Sequence, residues 1–111
     1  MQLLEQVKHF PETVQFHDVI AYIDSHFDFT PAAFKNGNIR NEEGQNSGSC
    51  KIFGFASYYG LPEDQTLHLF GEFYREDVLK HPNGNDHQNI RNFMEFGWDG
   101  VIFESDPLKE K

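Results

Sequence analysis

The sequence has little cysteine and little positive charge: Cys50 is the only cysteine, and 9 Lys and Arg stand against 18 Asp and Glu in 111 residues. A single cysteine excludes an intramolecular disulfide and is typical of a reducing compartment. The net charge of −9 with neutral histidines argues against nucleic acid and membranes as partners, because both surfaces would repel the chain. No apolar run approaches the ~20 residues that span a bilayer, and residues 1–10 lack the apolar core of a signal peptide.

Phenylalanine, in contrast, is abundant, with 12 residues in a chain that is 38% hydrophobic. Each buried aromatic side chain removes roughly 150–250 Å² of surface from water, so a hydrophobic core is within reach. The length fits one domain. We therefore predict a single domain over residues 1–104 and a frayed polar tail over residues 105–111.

The spacing of apolar residues predicts a helix-dominated α+β domain. We expect about five helices: one before Pro11, one over residues 17–27, one capped by Ser49, one that starts at Pro62 and is ended by Pro82-Asn83-Gly84, and one capped by Asp86. The dipeptide Asn36-Gly37 predicts a hairpin of residues 33–36 and 38–41. Residues 101–103 are β-branched and aromatic, which completes a small sheet of three to four short strands.

Several motifs in fixed order resemble one known family. They are Phe29-Thr30-Pro31, Phe34-x-Asn36-Gly37, Gly44-Gln45-Asn46-x-Gly48-Ser49-Cys50-Lys51, Phe70-Gly71-x-Phe73-Tyr74-Arg75-Glu76-Asp77-Val78-Leu79 and His81-Pro82-x-Gly84-x-Asp86-His87-x-Asn89-Ile90-Arg91-x-Phe93. From about Val14 to Phe103 the chain resembles the HopJ type III effector family. That family takes its name from a bacterial protein delivered into plant cells by type III secretion, and it has no established biochemical activity.

The resemblance implies a bacterial protein, and its name raises export by type III secretion, with a host factor as partner. Secretion signals of that kind are usually disordered and rich in Ser, whereas residues 1–10 contain no Ser and are predicted to be helical. We therefore expect the protein to reside in the bacterial cytoplasm.

Cys50 is the first candidate for chemistry. A thiol in the first turn of a helix, beside Lys51, favours the thiolate and predicts a pKa below the free value of about 8.5. His68, His81 or His87 would then act as the base, with Asp86 orienting the imidazole. In the alternative interpretation, Cys50 packs inward as a small apolar residue.

The segment around His81, Asp86 and His87 is the second candidate, since two imidazoles and a carboxylate suit a divalent metal. The spacing matches no standard metal-binding signature. His81 and Asp86 are equally explained as groups that stabilise helix ends. We therefore predict no metal and no cofactor.

An anionic ligand is the third candidate. Arg75 and Arg91 carry guanidinium groups that grip carboxylates or phosphates. The loop that holds Asn46 places backbone amides, together with Ser49 and Lys51, before a helix. His81 completes this set of ligand-binding residues. The alternative for the arginines is a structural ion pair with Glu76 or Asp77.

Two classes of function follow from these residues. The first is a small acidic, non-catalytic interaction module that binds another protein. The second is a small enzyme or anion-binding protein whose site is built from Cys50, His81, Asp86, His87 and Arg91. We favour the interaction module, because it requires no chemistry that the spacings do not supply.

Overall fold

The computed structural model describes residues 2–111 of the chain. The α-helices are α1 (Gln2–His9), α2 (Phe16–His26), α3 (Ser47–Tyr59), α4 (Glu63–His68) and α5 (Gln88–Phe96). The strands are β1 (Phe27–Phe29), β2 (Phe34–Asn36), β3 (Ile39–Asn41), β4 (Val101–Phe103) and β5 (Leu108–Glu110). Short 3₁₀ turns lie at Pro11–Thr13 and Gly97–Gly100, and a π-helix spans Phe73–Val78. The predicted α+β class is confirmed.

Helix α3 is the centre of the core. It is apolar on most sides, and its buried residues include Cys50, Ile52, Phe53 and Phe55, as expected for a helix surrounded by protein. The ring of Phe53 contacts rings from four other segments. Those partners are Phe34, Phe70, Phe93 and Trp98, at centroid distances of 5.0 to 6.3 Å. Phenylalanine thus supplies much of the hydrophobic core.

The strands form two small antiparallel sheets. In the first, β2 lies between β3 and β4, with Phe34 opposite Asn41 on one side and Phe103 on the other. The predicted hairpin at Asn36-Gly37 is present, and Gly37 takes a φ of 64° that favours glycine.

The second sheet corrects the prediction for the end of the chain. Residues 105–111 do not fray: β5 pairs with β1, and Phe29 lies opposite Leu108. A Cβ atom on Gly54 of α3 would lie 2.8 Å from Pro107. The segment that leads into β5 is therefore packed directly against the central helix, which the local sequence does not reveal.

The helix expected to run from Pro62 to just before Pro82 is interrupted. It ends at His68, and the chain resumes as the π-helix after Gly71, whose φ is 60°. A Cβ on Gly71 would lie 2.5 Å from the backbone nitrogen of Phe16, so the start of α2 occupies the path of a continuous helix. The N–H of Leu79 then donates to the carbonyl of Tyr74 at 3.0 Å, the i to i−5 bond of a π-helix.

Two predicted helix caps are also wrong. Helix α3 follows Asn46 and begins at Ser47, two residues before Ser49, and α5 follows His87 rather than Asp86. Neither Asn46 nor His87 caps its helix with a side-chain hydrogen bond. Between residues 2 and 111, no helix combines the length and the apolar character needed to cross a bilayer.

Candidate ligand-binding cleft

The first turns of α3 and α5 meet at a cleft of about 360 Å³. We call it the α3–α5 cleft. It is lined by Phe16, Ile39, Asn41, Asn46, Gly48, Ser49, Phe70, Phe73, His87, Gln88, Asn89 and Ile90. Its volume falls within the range of about 300–1,000 Å³ that is usual for small-molecule sites.

Both helices enter the cleft through a left-handed residue. Asn46 has φ 50° and His87 has φ 49°, and within residues 2–111 they are the only non-glycine residues with positive φ. Such conformations cost about 1–3 kcal/mol and concentrate at ligand clamps and active sites. Asparagine tolerates this region better than most residues. The backbone strain of the described chain is therefore gathered at one place.

A network of asparagine amides forms the floor of the cleft. Asn89 accepts hydrogen bonds from the Nδ2 groups of Asn36 and Asn41, at 3.0 and 3.1 Å. Its own Nδ2 donates to Asn41 Oδ1 at 3.0 Å, and Asn46 Nδ2 donates to the same oxygen at 2.6 Å. The network joins the β2–β3 hairpin to both helix starts, which fixes the shape of the cleft.

An aromatic wall forms another side. The rings of Phe16 and Phe73 are 4.7 Å apart, and Phe73 stacks on His87 at 5.0 Å with an angle of 23° between the ring planes. The Nε2 of His87 donates to Asp77 Oδ2 at 3.0 Å. Asp77 belongs to the π-helix, so this segment holds the imidazole on both its face and its edge.

The lining carries no carboxylate, although the chain contains 18 Asp and Glu. Instead, two helix N-termini present the positive ends of their dipoles and their free first-turn amides. Two carboxylates bind lining residues: Glu72 accepts the Phe16 N–H at 3.0 Å, and Asp77 accepts from His87 at 3.0 Å. The bond from Phe16 lowers the pKa of Glu72. What the cleft offers an anion is therefore backbone amides and helix dipoles, since its lining contains no Lys or Arg.

Three of the predicted site residues lie at this cleft: Asn46, Ser49 and His87. Cys50 does not line it. Its side chain is buried, and its Sγ donates to the carbonyl of Ala32 at 3.6 Å. Burial raises the pKa of the Cys50 thiol, contrary to the predicted activation. The packing interpretation of Cys50 therefore agrees with its surroundings.

Two cationic residues that were predicted to bind a ligand, Lys51 and Arg75, contact other groups instead. Lys51 pairs with Asp24 at 2.7 Å and lies over the ring of Phe29. Arg75 donates to the backbone carbonyls of Pro11 and Val14 and ties the first 3₁₀ turn to the π-helix. Neither side chain lines the α3–α5 cleft.

Arg91 holds together the loop that precedes α5. It donates to Asp86 Oδ1 at 2.7 Å, to the Asp86 carbonyl at 2.7 Å and to the His81 carbonyl at 2.9 Å. Its carboxylate partner is thus Asp86, whereas Glu76 pairs with Lys80 at 2.8 Å. The bond from Arg91 lowers the pKa of Asp86. His81 is exposed on this loop. In the part of the chain that the structure describes, no three His, Cys, Asp or Glu side chains are grouped as metal ligands.

Four residues of the cleft were not predicted as site residues: Phe16, Asn41, Phe73 and Asn89. Phe73 and Asn89 belong to the family motifs, but nothing in the local sequence of the four indicates that they meet. Asn89 lies among the buried residues of α5 together with Ile90, Asn92 and Phe93. A polar side chain among apolar positions of a predicted helix was the available signal, since buried polar groups need specific partners.

The fold and the site define a small α+β domain with a cleft between the starts of two helices. The sequence model of the HopJ type III effector protein family matches residues 1–108, and the chain belongs to this family. It is similar to a solved crystal structure described as "unknown function protein VPA0580". The identity is 52%, the match covers 99% of this chain and 92% of that one, and the TM-score is 0.98. No curated protein sequence matches the chain.

Proposed function

We propose that this protein is a small-molecule-binding domain that holds an anionic ligand in the α3–α5 cleft. The observation that carries the proposal is the convergence of Asn46 and His87 on one cleft, each in a left-handed conformation before a helix. Strain of this kind persists where the surrounding structure requires it. Here the hydrogen bond from Asn46 to the buried asparagine network holds Asn46 in its conformation, and the contact with Asp77 holds His87.

The lining defines the chemistry of the ligand. A phosphate or carboxylate group accepts hydrogen bonds from the first-turn amides around Ser49 and Asn89, where the helix dipoles also favour negative charge. A planar or apolar group attached to it packs against Phe16 and Phe73. This is the second of the two functions derived from the sequence, without a catalytic role for Cys50. We propose the bacterial cytoplasm as its location, in keeping with the buried free thiol.

Titration of ¹⁵N-labelled protein tests this function, with inorganic phosphate and phenyl phosphate as probes. We expect saturable shifts of the amide signals of Gly48, Ser49 and Asn89. Phenyl phosphate should bind several-fold more tightly than phosphate, because its ring adds contact with the aromatic wall. Equal shifts with sodium chloride at matched ionic strength, or shifts spread over the whole surface, would contradict the proposal.

Paired histidine variants sharpen the test. His87→Asn keeps a residue type that tolerates positive φ but removes the ring that stacks on Phe73, and it should weaken phenyl phosphate binding at least threefold. His81→Asn is the matched control, because His81 is exposed and lies outside the cleft. Equal affinity of the two variants would show that the cleft is not the binding site.

A further inference from the structure

We propose that a second concave surface, on the outer face of α5, docks a basic amphipathic helix of another protein. We call this surface the Leu79–Met94 groove. It has a volume of about 460 Å³ and is lined by Val78, Leu79, Pro82, Gly84, Gln88, Arg91, Asn92, Met94 and Glu95. This proposal concerns a different surface from the α3–α5 cleft and does not depend on ligand binding there.

The groove exposes apolar side chains that the fold leaves uncovered. Leu79 is 46% exposed and Met94 is 45% exposed, and both line the groove. Single exposed apolar residues are ordinary, whereas binding sites are usually concave surfaces that apolar side chains help to line. Methionine is flexible and adapts to different partner side chains.

The shape of the groove suits a helix. Five residues of α5 line the groove. Gln88, Arg91, Asn92 and Glu95 follow the spacing of one helical face, and Met94, three residues after Arg91, borders that face. From Gln88 to Glu95 this face is about 10 Å long, or two turns. A partner helix that lies alongside α5 can place apolar side chains three and four residues apart against Leu79 and Met94.

Charge selects the partner. The guanidinium of Arg91 is saturated by Asp86 and by carbonyls of the preceding loop. Glu95 has no hydrogen-bonded or oppositely charged partner among the groups that the structure describes, so it is the free charge of the groove. The chain as a whole carries a net charge of −9. A helix with Lys or Arg beside its apolar face therefore complements the groove, whereas a second copy of this chain would be repelled.

The experiment measures binding of a fluorescent amphipathic peptide of leucine and lysine, about 14 residues long, to the full chain by fluorescence anisotropy. We expect binding in the micromolar range, and none by the same peptide with glutamate in place of lysine. Leu79→Asn with Met94→Asn should weaken binding at least tenfold. Glu95→Gln should weaken it about threefold at low salt and have little effect at high salt, as for an exposed ion pair.

Matched control variants distinguish binding in the groove from nonspecific binding of the peptide. Ile102→Asn alters an apolar side chain that is 58% exposed on β4, outside the groove, and Glu43→Gln makes the same change in net charge as Glu95→Gln. Both should leave peptide affinity unchanged. An equal loss from a control and a groove variant, no binding at about 1 mM peptide, or dimerisation of the chain through Leu79 would overturn the proposal.

A measurement on the unmodified protein guards against misfolded variants. Addition of the lysine peptide to ¹⁵N-labelled chain should shift amide signals of residues 78–95 and leave those of β5 unchanged. Shifts dispersed over the whole acidic surface would also refute docking in the groove.

Discussion

Removal of the Asn89 carboxamide is the sharpest test of the asparagine network. In Asn89→Ala, Asn36 Nδ2 keeps its bond to the Asn89 backbone carbonyl at 2.8 Å, and Asn41 Oδ1 keeps its bond from Asn46 at 2.6 Å. Asn41 Nδ2 loses the partner that it has at 3.1 Å. Because Asn41 is buried, this donor is left without a hydrogen bond.

The magnitude follows from these contacts. One buried unsatisfied donor costs about 1–3 kcal/mol, and each of the two other lost hydrogen bonds contributes about 0.5–1.5 kcal/mol. The greater helix propensity of alanine offsets about 0.5 kcal/mol of this loss. We therefore expect the free energy of unfolding to fall by about 3 kcal/mol, a large share of the 5–15 kcal/mol typical of natural domains.

Urea unfolding followed by tryptophan fluorescence measures this change. Trp98 is a suitable reporter, because its ring packs on Phe53 and Phe93 in the core. Asn38→Ala is the matched control: its Oδ1 accepts from Asn92 Nδ2, which also donates to the Asn36 carbonyl at 2.8 Å. The control should cost less than about 1 kcal/mol.

A double-mutant cycle with Asn41→Ala completes the test. The loss of unfolding free energy in the double variant should be about 1–2 kcal/mol smaller than the sum of the losses in the two single variants. The reason is that either substitution alone leaves the other asparagine without its hydrogen-bond partner. Additive effects, or a loss below about 1 kcal/mol for Asn89→Ala, would refute the idea that this network holds the cleft together.

Two further predictions concern a thiol and a carboxylate. Cys50 should react with iodoacetamide across pH 5 to 9 only as the protein unfolds, because burial both shields the thiol and raises its pKa; labelling of native protein at the rate of a free thiol would refute this. Glu72 has a pKa below its ordinary value of 4.5 because it accepts the Phe16 N–H. Its contribution to stability is therefore complete above about pH 4.5 and is lost as pH falls through its folded-state pKa. Glu72→Gln should flatten the acid side of the stability profile measured by urea unfolding, and parallel profiles for variant and wild type would contradict this assignment.

The sequence predicted those parts of the fold that local signals determine. The Asn36-Gly37 hairpin and strand β4 both follow from short-range turn and propensity rules. Each of these features depends on residues that are neighbours in the chain.

Features that depend on distant contacts were missed. The helix break after His68 results from the approach of Phe16 to Gly71, and the order of the last residues results from pairing with β1. The helix starts were misplaced because capping rules favour Ser49 and Asp86, whereas the loops enter through left-handed Asn46 and His87.

The candidate site was anticipated in part. The sequence singled out Asn46, Ser49 and His87, which the fold brings together. It also grouped Cys50 and Arg91 with them. Cys50 faces the interior of the same helix start, and Arg91 is occupied with its own loop. Residues that are close in sequence at the start of a helix can lie on opposite sides of it. The sequence alone does not show which of them faces the core and which faces the cleft.

The number of residues in the π-helical segment matters as much as their identity, because it sets the direction in which the later side chains point. Each residue added to or removed from an α-helix rotates everything beyond it by about 100°, and a π-helix turns in the same sense by a smaller step. A one-residue deletion between Gly71 and Asp77 that kept the π-helical hydrogen bonds would therefore turn Asp77 away from His87 and, by the same rotation, move Leu79 relative to the groove that it lines. Insertions and deletions here would disturb both surfaces at once, although many substitutions in the segment would disturb neither. Among homologous chains, the spacing from Gly71 to Leu79 should accordingly vary less than the residues within it.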